Sequence, residues 1–127
     1  MQRKKFVSKR QEATSSIDVA INVIGGKWKM LILVALMKGP QRTSSLQKAL
    51  PHISERLLIR QLRELERHLL ITRKVYPSVP PKVEYTVTEY GMTLQPVIFQ
   101  LSAWGYEHAK KIYAMGKIEY RVEQFGN

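Results

Sequence analysis

The chain has 127 residues, with 21 Lys and Arg against 10 Asp and Glu and a formal net charge of +11. This length fits a single domain, and such a basic excess indicates a polyanionic partner, either nucleic acid or an anionic membrane. The sequence contains no cysteine, which excludes disulfides, thiolate chemistry and cysteine-bound metals.

Hydropathy gives no sign of a membrane anchor or a secretion signal. The longest apolar run, residues 30–37, is far shorter than the roughly 20 residues that a spanning helix needs. The basic N-terminus is not followed by an apolar segment with a cleavage site. We therefore expect a cytoplasmic protein that does not bind membranes.

The N-terminal third predicts a basic arm and two short helices. Residues 1–14 are polar and basic without periodicity, so we expect a mobile arm, which can follow a DNA backbone or simply be unordered. A first helix is predicted over residues 17–24 and ended by Gly25-Gly26. A second, largely buried helix is predicted over residues 27–37 and stopped by Gly39-Pro40.

A third helix is predicted from a Thr43 or Ser44 cap to about Leu50, and a fourth over residues 54–68 with Ser54 as its cap. At about 100° per residue, four leucines of the fourth helix form a narrow apolar stripe: Leu58, Leu62, Leu65 and Leu69. On the opposite side four arginines fall within an arc of roughly 60° with no acid between them: Arg56, Arg60, Arg63 and Arg67. A helical charge run is usually a solvated face, but solubility alone would mix both signs. The pattern therefore predicts contact with phosphates and base edges.

A β-hairpin is predicted after the arginine-rich helix. Residues 71–76 and 82–87 alternate in polarity and are rich in β-branched and aromatic residues, as strands are. The loop between them, residues 77–81, holds three prolines and should be extended and stiff.

The C-terminal third predicts a long helix. Thr88 caps it, it runs to about Met115, and Pro96 predicts a kink or an early break. Residues 116–127 are predicted to be a polar tail. The expected organisation is a flexible arm over residues 1–14, a domain over residues 15–115 and this tail.

Three helices followed by a hairpin is the order of a winged helix-turn-helix, so the predicted fold class is mainly α with a small β-hairpin wing. The first and last helices carry apolar residues that a small three-helix core cannot cover. We favour a homodimer interface over packing within one domain, because helix-turn-helix proteins commonly bind paired half-sites as dimers. The predicted interface residues are Ile17, Ala20, Ile21, Ile98, Leu101 and Trp104.

An ordered set of motifs makes the sequence similar to a known family. The motifs are Ile24-Gly25-Gly26-Lys27-Trp28, Gly39-Pro40, Leu50-Pro51 with Ile53-Ser54, Leu62-Arg63-Glu64-Leu65-Glu66, Val79-Pro80-Pro81-Lys82-Val83-Glu84-Tyr85, Thr88-Glu89-Tyr90-Gly91 and Leu101 with Trp104-Gly105. They span roughly residues 15–110 and resemble the HxlR-type family of bacterial winged-helix transcription regulators. The resemblance implies a dimer built on the first and last helices, the fourth helix in the major groove and the wing on the adjacent backbone or minor groove. It also implies a repressor or an activator, often of detoxification or metabolic genes.

Three positions depart from the pattern of that family. Many members carry a cysteine just before the first helix and use it to sense electrophiles, aldehydes or oxidants; Ser15 stands there, and its hydroxyl cannot perform thiol chemistry at neutral pH. Ile59-Arg60 stands where Thr-Gln is frequent. Because arginine pairs with guanine and isoleucine can rest on a thymine methyl, we expect a different operator. Thr43 replaces a common aromatic, and the sequence suggests no function for that change.

Roles follow from position along the fourth helix, since its N-terminal half is the part that reaches base edges. We assign base readout to Ser54, Glu55, Arg56, Ile59 and Arg60, with partial core burial as the alternative for Ile59. Backbone contacts are assigned to Arg63, Arg67, Arg73, Lys74 and Lys82. Because neighbouring strand residues alternate faces, Arg73 and Lys74 must point in opposite directions.

Evidence for any other chemistry is weak. Four aromatics could line an effector pocket, although aromatics at such spacing are more often core: Trp28, Phe99, Trp104 and Tyr106. The three histidines have no metal-ligand spacing, and no nucleophile–base set, phosphate loop or acid pair occurs in the sequence. We predict neither an enzyme nor a cofactor nor a metal.

The leading hypothesis is a homodimeric, sequence-specific transcriptional regulator, with repression favoured, that binds a palindromic operator in double-stranded DNA. The alternative is a non-specific architectural nucleic-acid-binding protein, whose affinity would fall steeply with salt for every sequence. A protein-interaction module is disfavoured, because protein interfaces hold few uncompensated charges at their centre. The sequence identifies neither the operator nor the target genes nor any small-molecule effector.

Overall fold

A computed structural model describes residues 12–122. The described helices are α1 (Ser16–Ile24), α2 (Lys29–Leu36), α3 (Thr43–Ala49), α4 (Glu55–Arg67), α5 (Glu89–Met92) and α6 (Gln95–Ala114). The two strands are β1 (Ile71–Tyr76) and β2 (Lys82–Val87), which pair in antiparallel. The predicted fold class, mainly helical with a two-stranded wing, is confirmed. Most of the predicted basic arm, residues 1–11, lies outside the described residues.

The core surrounds α2, which is apolar on nearly every side. Ile32, Leu33 and Leu36 of this helix are all at most 2% exposed. Helix α3 and strand β1 contribute one almost fully buried residue each, Leu46 and Ile71. The elements of the predicted winged helix-turn-helix therefore share a single apolar core.

Helix α4 packs against this core through the predicted leucine stripe, except at its last predicted member, Leu69. Leu58, Leu62 and Leu65 are fully buried, but Leu69 is 70% exposed and has a left-handed φ of +63°. The helix ends at Arg67, so helical periodicity no longer applies to Leu69. Leu70, which is 2% exposed, enters the core in its place.

The start of α4 forms as predicted, whereas the start of α3 does not. The Ser54 hydroxyl accepts a hydrogen bond from the Leu57 amide at 3.1 Å, which satisfies one of the free amides at the helix start. The N-cap of α3 is Arg42, which makes no capping side-chain hydrogen bond. The predicted cap at Thr43 or Ser44 is therefore wrong, and Thr43 is the first residue of the helix.

The hairpin runs in the register Ile71↔Val87 to Tyr76↔Lys82. Tyr85 also pairs with Gln41 in the connection between α2 and α3, through amide-to-carbonyl distances of 3.0 and 2.9 Å. This bridge ties the wing to the helical core. The sequence did not predict it, since a single paired residue leaves no periodic pattern.

The predicted long C-terminal helix is broken, as the early-break alternative for Pro96 required. Helix α5 ends at Met92, and α6 starts at Gln95 with Pro96 in its first turn, where the missing amide costs no hydrogen bond. Thr88 caps α5 by accepting a hydrogen bond from Gly91 at 2.8 Å. Gly91 is buried, and a Cβ there would overlap the carbonyl oxygen of Leu70.

Helix α6 packs against the domain through Ile98, its single buried residue. Because Ile98 is only 4% exposed and packs in the core of its own chain, it was wrongly placed in a surface for a partner. Beyond α6, residues 116–122 form neither a helix nor a strand.

No single helix of the described residues is long and apolar enough to cross a membrane. Helices α1 and α2 reach the length and apolarity only together, and they are bent by 69° relative to each other.

Candidate nucleic-acid interface

Helix α4 presents a continuous cationic surface, the arginine face, which consists of Arg56, Arg60, Arg63 and Arg67. All four side chains are exposed, and the buried leucines hold them on the outer side of the helix. Within residues 12–122 none of the four forms an ion pair with a carboxylate. Their donors are therefore available to an external acceptor.

One acidic residue of α4, Glu64, forms an ion pair with helix α2 instead. The Glu64 carboxylate lies 2.8 Å from the Lys29 ammonium of α2, with side-chain exposures of 35% and 10% respectively. The hydrogen bond from Lys29 holds the pKa of Glu64 below its ordinary value of 4.5, and the charges of Arg60 and Arg67 lower it further. This pair links α4 to α2, and Glu64 forms its ion pair with Lys29 rather than with an arginine of the face. Sequence analysis missed it, because Lys29 stands in an otherwise apolar helix.

We expect Glu64→Gln to lower the free energy of unfolding at pH 7 by roughly 1–2 kcal/mol. Losing one partner of a fully buried ion pair costs roughly 3–5 kcal/mol, and the value here is smaller because solvent reaches Glu64. The native pKa is depressed, so the stabilisation is present above the pKa of the unfolded chain and lost as the pH falls through the folded value. The native and variant proteins should therefore converge in stability as the pH falls below the folded-state pKa of Glu64.

Urea unfolding at pH 7 and pH 3 checks this expectation, and α6 supplies the matched control. Glu107 and Lys110 also lie 2.8 Å apart, but their side chains are 65% and 58% exposed. Glu107→Gln should change stability by less than about 0.5 kcal/mol at either pH. Equal effects of the two substitutions at pH 7 would mean that Glu64 contributes no more than a surface charge.

The N-terminal half of the arginine face borders a shallow surface groove of about 690 Å³, lined by Glu55, Arg56, Ile59, Arg60 and Arg63. Four of these lining residues were predicted to read bases, and Arg63 was predicted to contact the DNA backbone. The fifth predicted base-reading residue, Ser54, caps the start of α4. Ile59 is half-buried and lines the groove, so its predicted role in base readout and the alternative of partial core burial both stay open. Such a surface offers donors and one apolar contact to a base edge.

A second cleft, of about 340 Å³, connects α4 to the wing. Ile59, Arg63 and Arg73 all line it, so the hairpin extends the arginine face by one cation. Thr43 lines the same cleft, which places this departure from the family pattern at the junction of helix and wing. The sequence suggested no role for Thr43, because residues that are distant along the chain meet here only through the fold.

The other wing cations lie on the opposite face of the hairpin. Arg73 pairs across the strands with buried Tyr85, whereas Lys74 pairs with Glu84 and Lys82 with Tyr76. The Lys74 ammonium lies 4.8 Å from the centroid of the Tyr76 ring. The structure therefore brings Arg73 to the arginine face and leaves Lys74 and Lys82 on the far side of the wing, as the alternation of strand residues requires.

Helices α1 and α6 expose an unusual amount of apolar surface. Ile17 and Ile21 of α1 are 71% and 57% exposed, and Leu101 and Trp104 of α6 are 52% and 66% exposed. Ala20 is exposed as well. The Ser15 hydroxyl caps α1 by accepting a hydrogen bond from the Asp18 amide at 3.2 Å.

The four aromatics considered for an effector pocket do not line one common cleft. Trp28 lines one cleft, Tyr106 lines another, and Trp104 stacks on His108 with ring centroids 5.0 Å apart. Phe99 is 41% exposed. Among residues 12–122 there is no group of three or more His, Asp or Glu side chains that could hold a metal ion.

Comparison with known proteins agrees with this geometry. Residues 23–113 match the family model of the HxlR-like helix-turn-helix. The chain is 50% identical over 107 residues to YkvN of Bacillus subtilis, named as an HTH-type transcriptional regulator, covering 84% of this chain and 89% of that one.

Two solved structures extend the similarity to the fold. The redox regulator HypR in its reduced form superimposes with a TM-score of 0.74 at 39% identity, covering 79% of this chain and 99% of that chain. The HTH-type transcriptional regulator YtcD of Bacillus subtilis gives a TM-score of 0.72 at 47% identity, covering 75% and 97%.

Proposed function

Because this chain belongs to the HxlR-like helix-turn-helix family, we propose that it is a homodimeric transcriptional repressor of a palindromic operator. That it is a DNA-binding transcriptional regulator follows from the family and its relatives. The observation that carries the proposed DNA contact is the arginine face, four exposed guanidinium groups without acidic partners in the described chain. A surface of this kind matches the phosphates and guanine edges of DNA.

In the proposed complex α4 enters the major groove, which is about 12 Å wide and accepts a helix. Base readout is assigned to the residues near its start: Ser54, Glu55, Arg56, Ile59 and Arg60. Backbone contacts are assigned to Arg63 and Arg67 at the far end, and to Arg73, which lines the same cleft as Arg63. Lys74 and Lys82 contact phosphates from the other face of the wing.

The proposed dimer buries the exposed apolar side chains of α1 and α6, which are Ile17, Ala20, Ile21, Leu101 and Trp104. Apolar patches of this kind on small proteins commonly mark interfaces. A two-fold axis between α1 and α6 would present two copies of α4 to two half-sites, which is why the operator should be palindromic.

Occupation of such an operator near a promoter would exclude the polymerase, which accounts for repression. The protein would act in the cytoplasm, where bacterial DNA lies. Sensing through a thiol is outside this proposal, since the chain has no cysteine.

A footprint on the DNA immediately upstream of the protein's own gene tests the proposal. We expect two protected half-sites related by a dyad, with centres about one or two helical turns apart, and two protomers per bound fragment by sedimentation. Uniform protection along the DNA, at any stoichiometry, would instead support a non-specific architectural protein, consistent with the net charge of +11.

A further inference from the structure

A third cleft, with a volume of about 940 Å³, lies away from the arginine face. We name it the α6 cleft. Its walls are Trp28 at the start of α2, the turn of Pro51 and His52 that precedes α4, His108 of α6, and residues 120–122. A cavity of this size lies within the range of roughly 300–1,000 Å³ that drug-sized ligands occupy.

The chemistry of the walls is both aromatic and cationic. Trp28 and Tyr120 provide ring surfaces, and Lys27 and Arg121 provide positive charges. The Lys27 ammonium lies 4.8 Å from the centroid of the Trp28 ring, so charge and aromatic surface are adjacent. None of the described residues that line the cleft is acidic. The cleft therefore favours a ligand with a flat apolar body and a negative charge.

We propose that the α6 cleft binds a small aromatic carboxylate. The aromatic body would pack against Trp28 and Tyr120, since aromatic side chains offer large flat surfaces for burial. The carboxylate would face Lys27 and Arg121, where charge-assisted hydrogen bonds are stronger than neutral ones. No residue of the arginine face is needed for this binding, because the cleft and the arginine face share none.

The α6 cleft is also lined by the turn of Pro51 and His52, which leads directly into helix α4. His52 has a left-handed φ of +79°, and the Ile53 amide donates to the Leu50 carbonyl at 3.4 Å, a long hydrogen bond. Ser54, two residues after His52, caps α4. A ligand packed against this turn would change where α4 begins relative to the domain, and so change DNA affinity. This regulatory half rests on the proposed function, whereas ligand binding does not.

Calorimetric titration of the full-length protein without DNA tests the binding half. The probes are 2-naphthoate, which carries the ring and the charge, and 2-naphthalenemethanol, which carries the same ring with a neutral hydroxyl in place of the charge. We expect saturable binding of 2-naphthoate, one molecule per protomer, and binding of the alcohol weaker by about tenfold or more. Titration of the protein with operator DNA, with and without 2-naphthoate, then measures the regulatory half separately, as a change in DNA affinity.

Two double variants make the test specific. Lys27→Gln with Arg121→Gln should weaken 2-naphthoate binding by about tenfold or more. Lys38→Gln with Lys117→Gln, which removes the same charge from exposed positions outside the cleft, should change it by less than about twofold. Equal weakening by both pairs, or equal binding of acid and alcohol, would overturn the site. Absence of any binding, as expected if the partner protomer fills the cleft, would overturn it too.

Discussion

Replacing Arg60 by alanine is expected to weaken binding to the operator by roughly 1–3 kcal/mol, or about 5- to 150-fold, and to relax the preference at one base pair. Arg60 is exposed on the outer side of α4 and lines the surface groove together with Arg56 and Ile59. Arginine in such a position can donate to O6 and N7 of guanine at the same time, a geometry that alanine loses entirely. The effect should therefore depend on sequence.

Arg67→Ala is the matched control, since Arg67 carries the same group on the same face at the C-terminal end of α4. If Arg67 contacts a phosphate, Arg67→Ala should weaken binding to operator DNA and to scrambled DNA by similar factors. It should also reduce the slope of log affinity against log salt concentration by about one. Competition titrations with single-base operator variants distinguish the two outcomes. If Arg60→Ala weakened binding to scrambled DNA as much as binding to the operator, Arg60 would be a phosphate contact and its assignment to base readout would be wrong.

Replacing Trp104 by alanine is expected to raise the dissociation constant of the dimer by about 30-fold or more, the equivalent of roughly 2 kcal/mol for a buried interface tryptophan. In the single chain Trp104 is 66% exposed and stacks only on the neighbouring His108, so its loss leaves the core intact. The same variant should bind DNA more weakly, because dimerisation and occupation of two half-sites are linked.

Tyr90→Ala provides the control for the dimer prediction. Tyr90 is an aromatic of similar exposure, 62%, on α5, which is not part of the proposed interface. Sedimentation equilibrium should show an unchanged dimer for Tyr90→Ala and a shift toward monomer for Trp104→Ala. A native-like dimer in both variants would exclude Trp104 from the interface.

Local signals in the sequence predicted helix α4 and the β-hairpin well. The Ser54 cap and both strands, Ile71–Tyr76 and Lys82–Val87, are found at the predicted bounds. Capping and strand alternation depend on residues close together in the chain, and tertiary packing reinforces them here, since Leu62 and Tyr85 both face the core.

The errors come from features that the sequence does not encode locally. Leu69 fits the leucine spacing, but the chain turns out of the helix just before it, at His68. Ile98 looked like its exposed neighbours on α6, and only the path of that helix across the core shows that it is buried. The ion pair between Lys29 and Glu64 joins two residues that are 35 positions apart in the sequence. The hydrophobic periodicity of a helix does not reveal such a pairing.

The sequence predicts only the part of the proposed DNA interface that lies on a single helix. Arg56, Arg60 and Arg63 lie together because they share one helix, which the sequence shows directly. The addition of Arg73 and Thr43 to that surface depends on how the wing folds against α4, a relation that the sequence alone did not give.

Binding to the DNA upstream of the protein's own gene, compared with scrambled DNA of equal length across a salt series, tests the central claim most directly. A specific regulator should prefer one palindromic fragment by about 10³-fold or more, with the preference persisting while both affinities fall with salt. Equal affinity for the two DNAs at every salt concentration would show that the arginine face recognises charge alone, and would contradict the assignment of Arg56, Ile59 and Arg60 to base readout.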